Sequence, residues 1–285
     1  MDQRIVDLYD EYTHTLLARR AFLERLAKLT GSMAAALTLV PLLENNRARA
    51  AIVPAEDPRL ESVRTSYPGA TGDIQAFVSR PRESKRLPAV IVIHENRGLN
   101  AHIEDVARRV ALAGFVAMAP DLLSPQGGTP ADEDAARNLI RELDAEATVR
   151  NLVAAVHHLE SDDHGNGKVG ALGFCWGGGM AAELAAAAPD LDAAVVYYGR
   201  QPDPARVESI QAPLLLHYAG LDTRINAGIP AFEAVLKQAK KKYTLHVYEG
   251  VNHGFNNDTS EARYDKPAAE LAWTRTITFL TENLR

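Results

Sequence analysis

The 285-residue sequence contains a single cysteine, Cys175, which excludes an internal disulfide and leaves the fold to stand on its packing. It has no excess of positive charge: 31 Lys and Arg stand against 37 Asp and Glu, a net charge of −6, and no block of like charge exceeds Lys240-Lys241-Lys242. Phosphate binding needs a basic footprint, so a nucleic-acid partner is excluded. Long hydrophobic runs are missing too. The mostly apolar stretch from Leu29 to Leu43 is interrupted by Thr30, Gly31, Ser32, Thr38 and Pro41. A stable membrane anchor needs about 20 apolar residues, so none is expected. Metal-ligand spacing is absent as well. His157 and His158 are adjacent and diverge on a helix, while His102, His164, His217 and His246 show no H-x-x-x-H with a partnered carboxylate. No metal and no organic cofactor is expected.

Residues 1–50 differ from the rest of the chain. Arg19 and Arg20 precede Phe22 and Leu23, then the broken apolar run, then Ala48-Arg49-Ala50 with small residues where a signal peptidase reads. The pattern resembles a twin-arginine export signal, implying a periplasmic destination and removal of the segment. The alternative is a pair of amphipathic helices retained on a cytoplasmic protein. Leu8, Leu16 and Leu17, then Phe22, Leu23, Leu26 and Leu29, fall on helical faces, and the acidic start (Asp2, Asp7, Asp10, Glu11) is unusual for an export signal. On either reading the segment is set apart from the catalytic argument.

Residues 56–285 read as one α/β domain without repeats or linkers. "LESVRTSY" and "GDIQAFVS" alternate like two antiparallel strands. "AVIVIH" is a β-branched run suited to a strand buried on both faces. Strand and helix patterns then alternate to the C-terminus, predicting a mostly parallel sheet of about eight strands with helices on both faces. In such sheets ligands lie beyond the carboxyl ends of the strands.

Three reactive side chains come just after three of those strands. Cys175 lies in "GFCWGGG" after "KVGALGF", a G-x-C-x-G frame that matches a strained strand-to-helix elbow. Asp222 comes after "PLLLH" in "HYAGLDTR", and His253 after "TLHVYE" in "EGVNHGFNND". Nucleophile, acid, histidine is the chain order of the α/β-hydrolase triad. Each residue alone has an ordinary reading: a buried thiol, a helix cap, a turn histidine. Their conjunction carries the catalytic one.

Taken together, "IHENRGLN", "GFCWGGG", "YYG", "AGLD" and "NHGF" resemble the dienelactone hydrolase (carboxymethylenebutenolidase) family of α/β-hydrolases, from about residue 60 to the end. The resemblance implies Cys175 as nucleophile, His253 as base, Asp222 as orienting acid, and Glu95 as a carboxylate that contacts the resting cysteine and controls its ionisation. It implies an oxyanion hole from the backbone N–H groups of Asn96 and Trp176, and a thioester intermediate in the hydrolysis of a lactone or small ester. Asn257 stands where the family carries a substrate-binding arginine. Arg97, Arg137, Tyr198 and Phe255 are the candidate pocket residues. Two other functions remain open: the same fold acting on an aryl ester, thioester or organophosphate, or a non-catalytic small-molecule binder. Monomer and dimer are both open.

Overall fold

A computed structural model describes residues 1–44, 51–83, 86–162 and 165–285. Ala48-Arg49-Ala50 and His164 lie outside them. The chain begins with three helices, α1 (Gln3–His14), α2 (Arg19–Thr30) and α3 (Met33–Leu43). Two long strands come next, β1 (Leu60–Gly69) and β2 (Gly72–Pro81), then β3 (Leu87–Ile93), α4 (Ala101–Leu112) and β4 (Val116–Pro120). The helical stretch after β4 is two helices, α5 (Glu133–Glu142) and α6 (Ala145–Glu160), because Asp144 leaves helical geometry and caps α6 through the Ala147 N–H. The remainder is β5 (Gly165–Phe174), α7 (Trp176–Ala187), β6 (Ala193–Tyr197), β7 (Leu214–Ala219), the short α8 (Thr223–Asn226), α9 (Ile229–Gln238), β8 (Tyr243–Tyr248) and α10 (Lys266–Leu284).

The eight strands form one sheet in the order β1-β2-β4-β3-β5-β6-β7-β8. β1 pairs antiparallel with β2, and β2 with β4; every later pairing is parallel. β3 lies inside, which explains its unbroken apolar run. Val90 and Val92 enter the layer formed with α4 and α10, while Ile91 and Ile93 enter the opposite layer with α6, α7 and α9. The parallel strands share one carboxyl edge, where Glu95, Cys175, Tyr198, Asp222 and His253 all emerge.

The N-terminal helices build a small core of their own from Ile5, Leu8, Tyr9, Tyr12, Phe22, Leu26, Ala36, Val40 and Leu43. Phe22 stacks on Tyr12 with ring centroids 4.5 Å apart. There are three helices here where sequence periodicity predicts two, because Gly31 takes φ 84° and ends α2, and Ser32 caps a new helix. Among the described residues no single helix is long and apolar enough to cross a membrane; α2 and α3 together are, but they meet at a 111° bend.

Candidate active site

Cys175 occupies the bend between β5 and α7 with φ 56° and ψ −118°, a conformation that costs energy for any residue bearing a side chain. Two glycines make the bend sterically feasible. A Cβ on Gly173 would lie 2.0 Å from the Gly177 carbonyl oxygen, and one on Gly177 would lie 2.3 Å from that of His94. The Cys175 N–H donates to the Tyr197 carbonyl at 3.0 Å, which ties the elbow to β6. Trp176 opens α7, so its N–H is one of the donors a helix start leaves without an intrahelical acceptor, at the positive end of the helix dipole.

Asp222 comes after β7 and caps α8, its Oδ1 accepting from the Ile225 N–H at 3.1 Å. Its Oδ2 lies 2.5 Å from Nδ1 of His253, which comes after β8; both side chains are buried. That pairing leaves Nε2 as the free nitrogen of the His253 ring. Nε2 has no hydrogen-bond partner among the described residues and lies within 4.8 Å of the Cys175 sulfur. The structure thus brings together the three residues that chain order singled out.

The sulfur also has a partner that the motifs did not supply. His14, the last residue of α1, places Nε2 3.1 Å from Sγ of Cys175. Its Nδ1 faces its own helix, 2.9 Å from the Asp10 carbonyl and 3.1 Å from the Asp10 carboxylate. The His14 and His253 rings meet edge to face at 4.5 Å. The segment set apart from catalysis on sequence grounds therefore forms one wall of the site. The signal for it was weak: Asp10 and His14 are four apart on an amphipathic helix, which puts them on one face, but nothing local says what that face covers.

Charge in this cluster is strongly coupled. Burial pushes the Cys175 thiol up, but the charge of His14 and then of His253, with the hydrogen bond to His14, brings it down to about 5. Burial disfavours a charged His253, yet the charges of Asp10 and Cys175 and the bond to Asp222 push it up to about 10. His14 is raised in the same way, against burial, by Cys175 and Asp10. The arrangement favours the thiolate of Cys175 and the charged form of each ring. His14, Cys175 and His253 each offer one ligand atom, all within 4.8 Å of one another, so this trio could also hold a metal ion.

The remaining candidates divide. Asn96, Trp176, Tyr198 and Arg137 line a pocket of about 330 Å³ that opens beside Cys175, together with Arg141, Arg200 and Arg224. Tyr198 lies against the His253 ring at 4.9 Å. Arg137 is buried, paired with Asp134 and set 4.5 Å over the Tyr12 ring. Three expectations need correction. Glu95 makes no hydrogen bond to Cys175 among the described residues; its Oε2 accepts from Asn257 Nδ2 at 2.7 Å, and the place beside the sulfur is taken by His14. Arg97 turns away from this pocket, because its guanidinium is held by the Tyr9 hydroxyl at 2.8 Å and by Glu133 at 2.7 Å. Phe255 lines no pocket wall beside Cys175. It is fully buried against Tyr198 and Tyr248, where aromatic area is worth more in the core.

Comparison with known proteins supplies the family. The model of the dienelactone hydrolase family matches residues 74–284, and a YqhI-like family model matches residues 1–31. A Saccharolobus solfataricus protein, provisionally named a carboxymethylenebutenolidase, is 33% identical over 254 residues, covering 75% of this chain and 96% of its own. A Bradyrhizobium protein, provisionally named a 2-oxo-3-(5-oxofuran-2-ylidene)propanoate lactonase, is 33% identical over 231 residues, covering 76% of this chain and 92% of its own. The crystal structure of a provisionally named dienelactone hydrolase from Klebsiella pneumoniae superposes with a TM-score of 0.71 at 26% identity, over 78% of this chain and 99% of that one.

Proposed function

The chain belongs to the dienelactone hydrolase family, and from that premise we propose that it hydrolyses a lactone or small carboxylic ester through a Cys175 thioester. The observation that carries this reading is the elbow itself: a positive-φ cysteine at a helix start, with the unpartnered nitrogen of an Asp-backed histidine within reach. The Cys175 thiolate attacks the carbonyl carbon, and the carbonyl π pair moves to oxygen. That oxyanion is received by the N–H groups of Trp176 and Asn96. Collapse expels the alkoxide, which takes a proton from His253. Water then attacks the thioester, its proton passes to His253, and the thiolate leaves with the acid released. Asp222 holds the imidazole in the tautomer this requires.

The pocket supports an acyl group that carries a negative charge. Arg137, Arg141, Arg200 and Arg224 all border it. Arg200 is exposed and has no carboxylate partner among the described residues, which leaves it free for a substrate carboxylate. The name of the Bradyrhizobium relative describes such a molecule, a lactone bearing a propanoate.

The test is hydrolysis of p-nitrophenyl acetate and of a dienelactone by the wild type, by Cys175→Ala, and by wild type treated with iodoacetamide. Turnover by the wild type, lowered about a thousandfold or more by either treatment, is the expected result. Turnover that survives both removes the cysteine from the mechanism.

A further inference from the structure

We propose that His14 is a catalytic residue of this enzyme, part of a second Asp–His pair, Asp10–His14, that α1 brings to the Cys175 sulfur opposite Asp222–His253. The proposal rests on the cysteine-hydrolase reading above and deepens it.

The geometry is that of an imidazolium paired with a thiolate. Nε2 of His14 lies 3.1 Å from the nucleophilic sulfur, and Nδ1 faces the Asp10 carboxylate and carbonyl. Those oxygens fix the ring orientation and favour its charged form, as Asp222 does for His253. Contacts to the loops of the site hold α1 in place. Gln3 Nε2 donates to the Asn252 side chain, next to His253, at 2.5 Å. The Tyr9 hydroxyl accepts from Arg97 at 2.8 Å, and the Thr13 carbonyl accepts from the Asn96 side chain at 3.0 Å. The Tyr12 hydroxyl donates to Asp134 at 2.8 Å. Glu95, the family's partner for the thiol, is engaged with Asn257 instead.

Two histidines at one sulfur divide the work. His14, as imidazolium, pairs with the thiolate and keeps its own proton throughout the cycle. His253 is thereby released from holding the sulfur. It gives its proton to the alkoxide as the C–O bond breaks and recovers one from water as the C–S bond breaks. The thiolate then returns to His14. One ester and one water yield one acid and one alcohol, with no net proton gained by the protein. The titratable and charged groups around this sulfur are His14, with Asp10 behind it on α1, His253, with Asp222 behind it, Tyr198 after β6, and Arg137, Arg141, Arg200 and Arg224 of the pocket rim; Arg97 lies farther off, held by Tyr9 and Glu133.

The experiment compares full-length wild type, His14→Gln and Asp10→Asn, with circular dichroism to verify folding. The first readout is the pH dependence of Cys175 alkylation by iodoacetamide, monitored by mass spectrometry. The expected result is a midpoint displaced alkaline by about one unit or more in His14→Gln, tenfold less thiolate on the acid side, with a smaller shift of the same sign in Asp10→Asn. The second readout is kcat/KM for p-nitrophenyl acetate, whose leaving group needs no proton, so a loss reports on the nucleophile. On the acid limb, below the wild-type midpoint near 5, a fall of about tenfold or more in His14→Gln is expected. Wild-type profiles in both variants would reduce His14 to packing. Faster turnover in His14→Gln would make α1 a plug. Either result overturns the proposal, as would a native protein whose intact mass lacks residues 1–43. Because alkylation needs no substrate, it decides the hold of His14 on the sulfur separately from the ester reading, which wild-type turnover decides.

Discussion

At the scale of single residues, ionisation is what this site controls. An ordinary thiol has a pKa near 8.5 and is mostly protonated at neutral pH. Here Cys175 is brought down to about 5 by its two imidazoles in spite of burial, and His253 is pushed up to about 10. On the proposed mechanism Cys175 is protonated below the lower value and cannot attack, and above the upper one His253 has no proton for the leaving oxygen. For an alkyl ester or lactone, kcat/KM should form a plateau with an acid limb near 5 and an alkaline limb near 10, both belonging to the cluster as a whole. A p-nitrophenyl ester should keep the acid limb and lose the alkaline one. A single acid limb near 8.5 would mean that Cys175 rests as an ordinary thiol. The elbow was legible in the glycines around Cys175, because their spacing reflects contacts that no Cβ tolerates. His14 was not legible, because a histidine at a helix end has no spacing relation to a cysteine 161 residues away.

Among the elements, the N-terminal helices decide most. Their core is separate from the two layers that cover the sheet, and it is joined to the domain mainly by polar contacts at the rim of the site. Phe22→Ala removes a buried ring stacked on Tyr12, a change that typically costs about 3–5 kcal/mol. We expect hydrogen-exchange protection to be lost across residues 3–43 while the sheet keeps its own, with kcat/KM falling to the level of His14→Gln. A uniform loss of protection over the whole chain would instead mean that helices and sheet unfold as one unit. The two arginines of the export-like pattern have structural partners here: Arg19 pairs with Glu44 and Asp134, and Arg20 with Glu24. Retention of the segment is the alternative that the His14 proposal requires, and cleavage after residue 50 would remove His14.

For the whole molecule, charge is distributed against its sum. The chain carries −6 overall, yet four arginines border the pocket beside Cys175. A local positive field in a low-dielectric cleft draws in anions even on an acidic protein. A carboxylate-bearing ester should therefore show a lower KM than its neutral analogue. The gap should close as salt rises from about 0.01 M to about 1 M, where the screening length falls from about 30 Å to about 3 Å. Arg200→Ala should narrow it at low salt, with kcat for the neutral ester little changed. Equal KM values at every salt concentration would assign these arginines to structure alone.

The sequence by itself determined a mostly parallel sheet of about eight strands and the placing of Cys175, Asp222 and His253 at one edge; the strand order came from the structure. Those features arise from local patterns: β-branched runs that must be buried on both faces, glycines where backbones meet, and reactive residues just after strands. Only the tertiary structure decided which groups share the sulfur, that Glu95 turns to Asn257, that Arg97 holds Tyr9, that Phe255 is core, and that α1 closes the site with His14. These are matters of packing between segments far apart in the chain. The side chains compete there for one small volume, and no periodicity in the sequence records which of them occupies it.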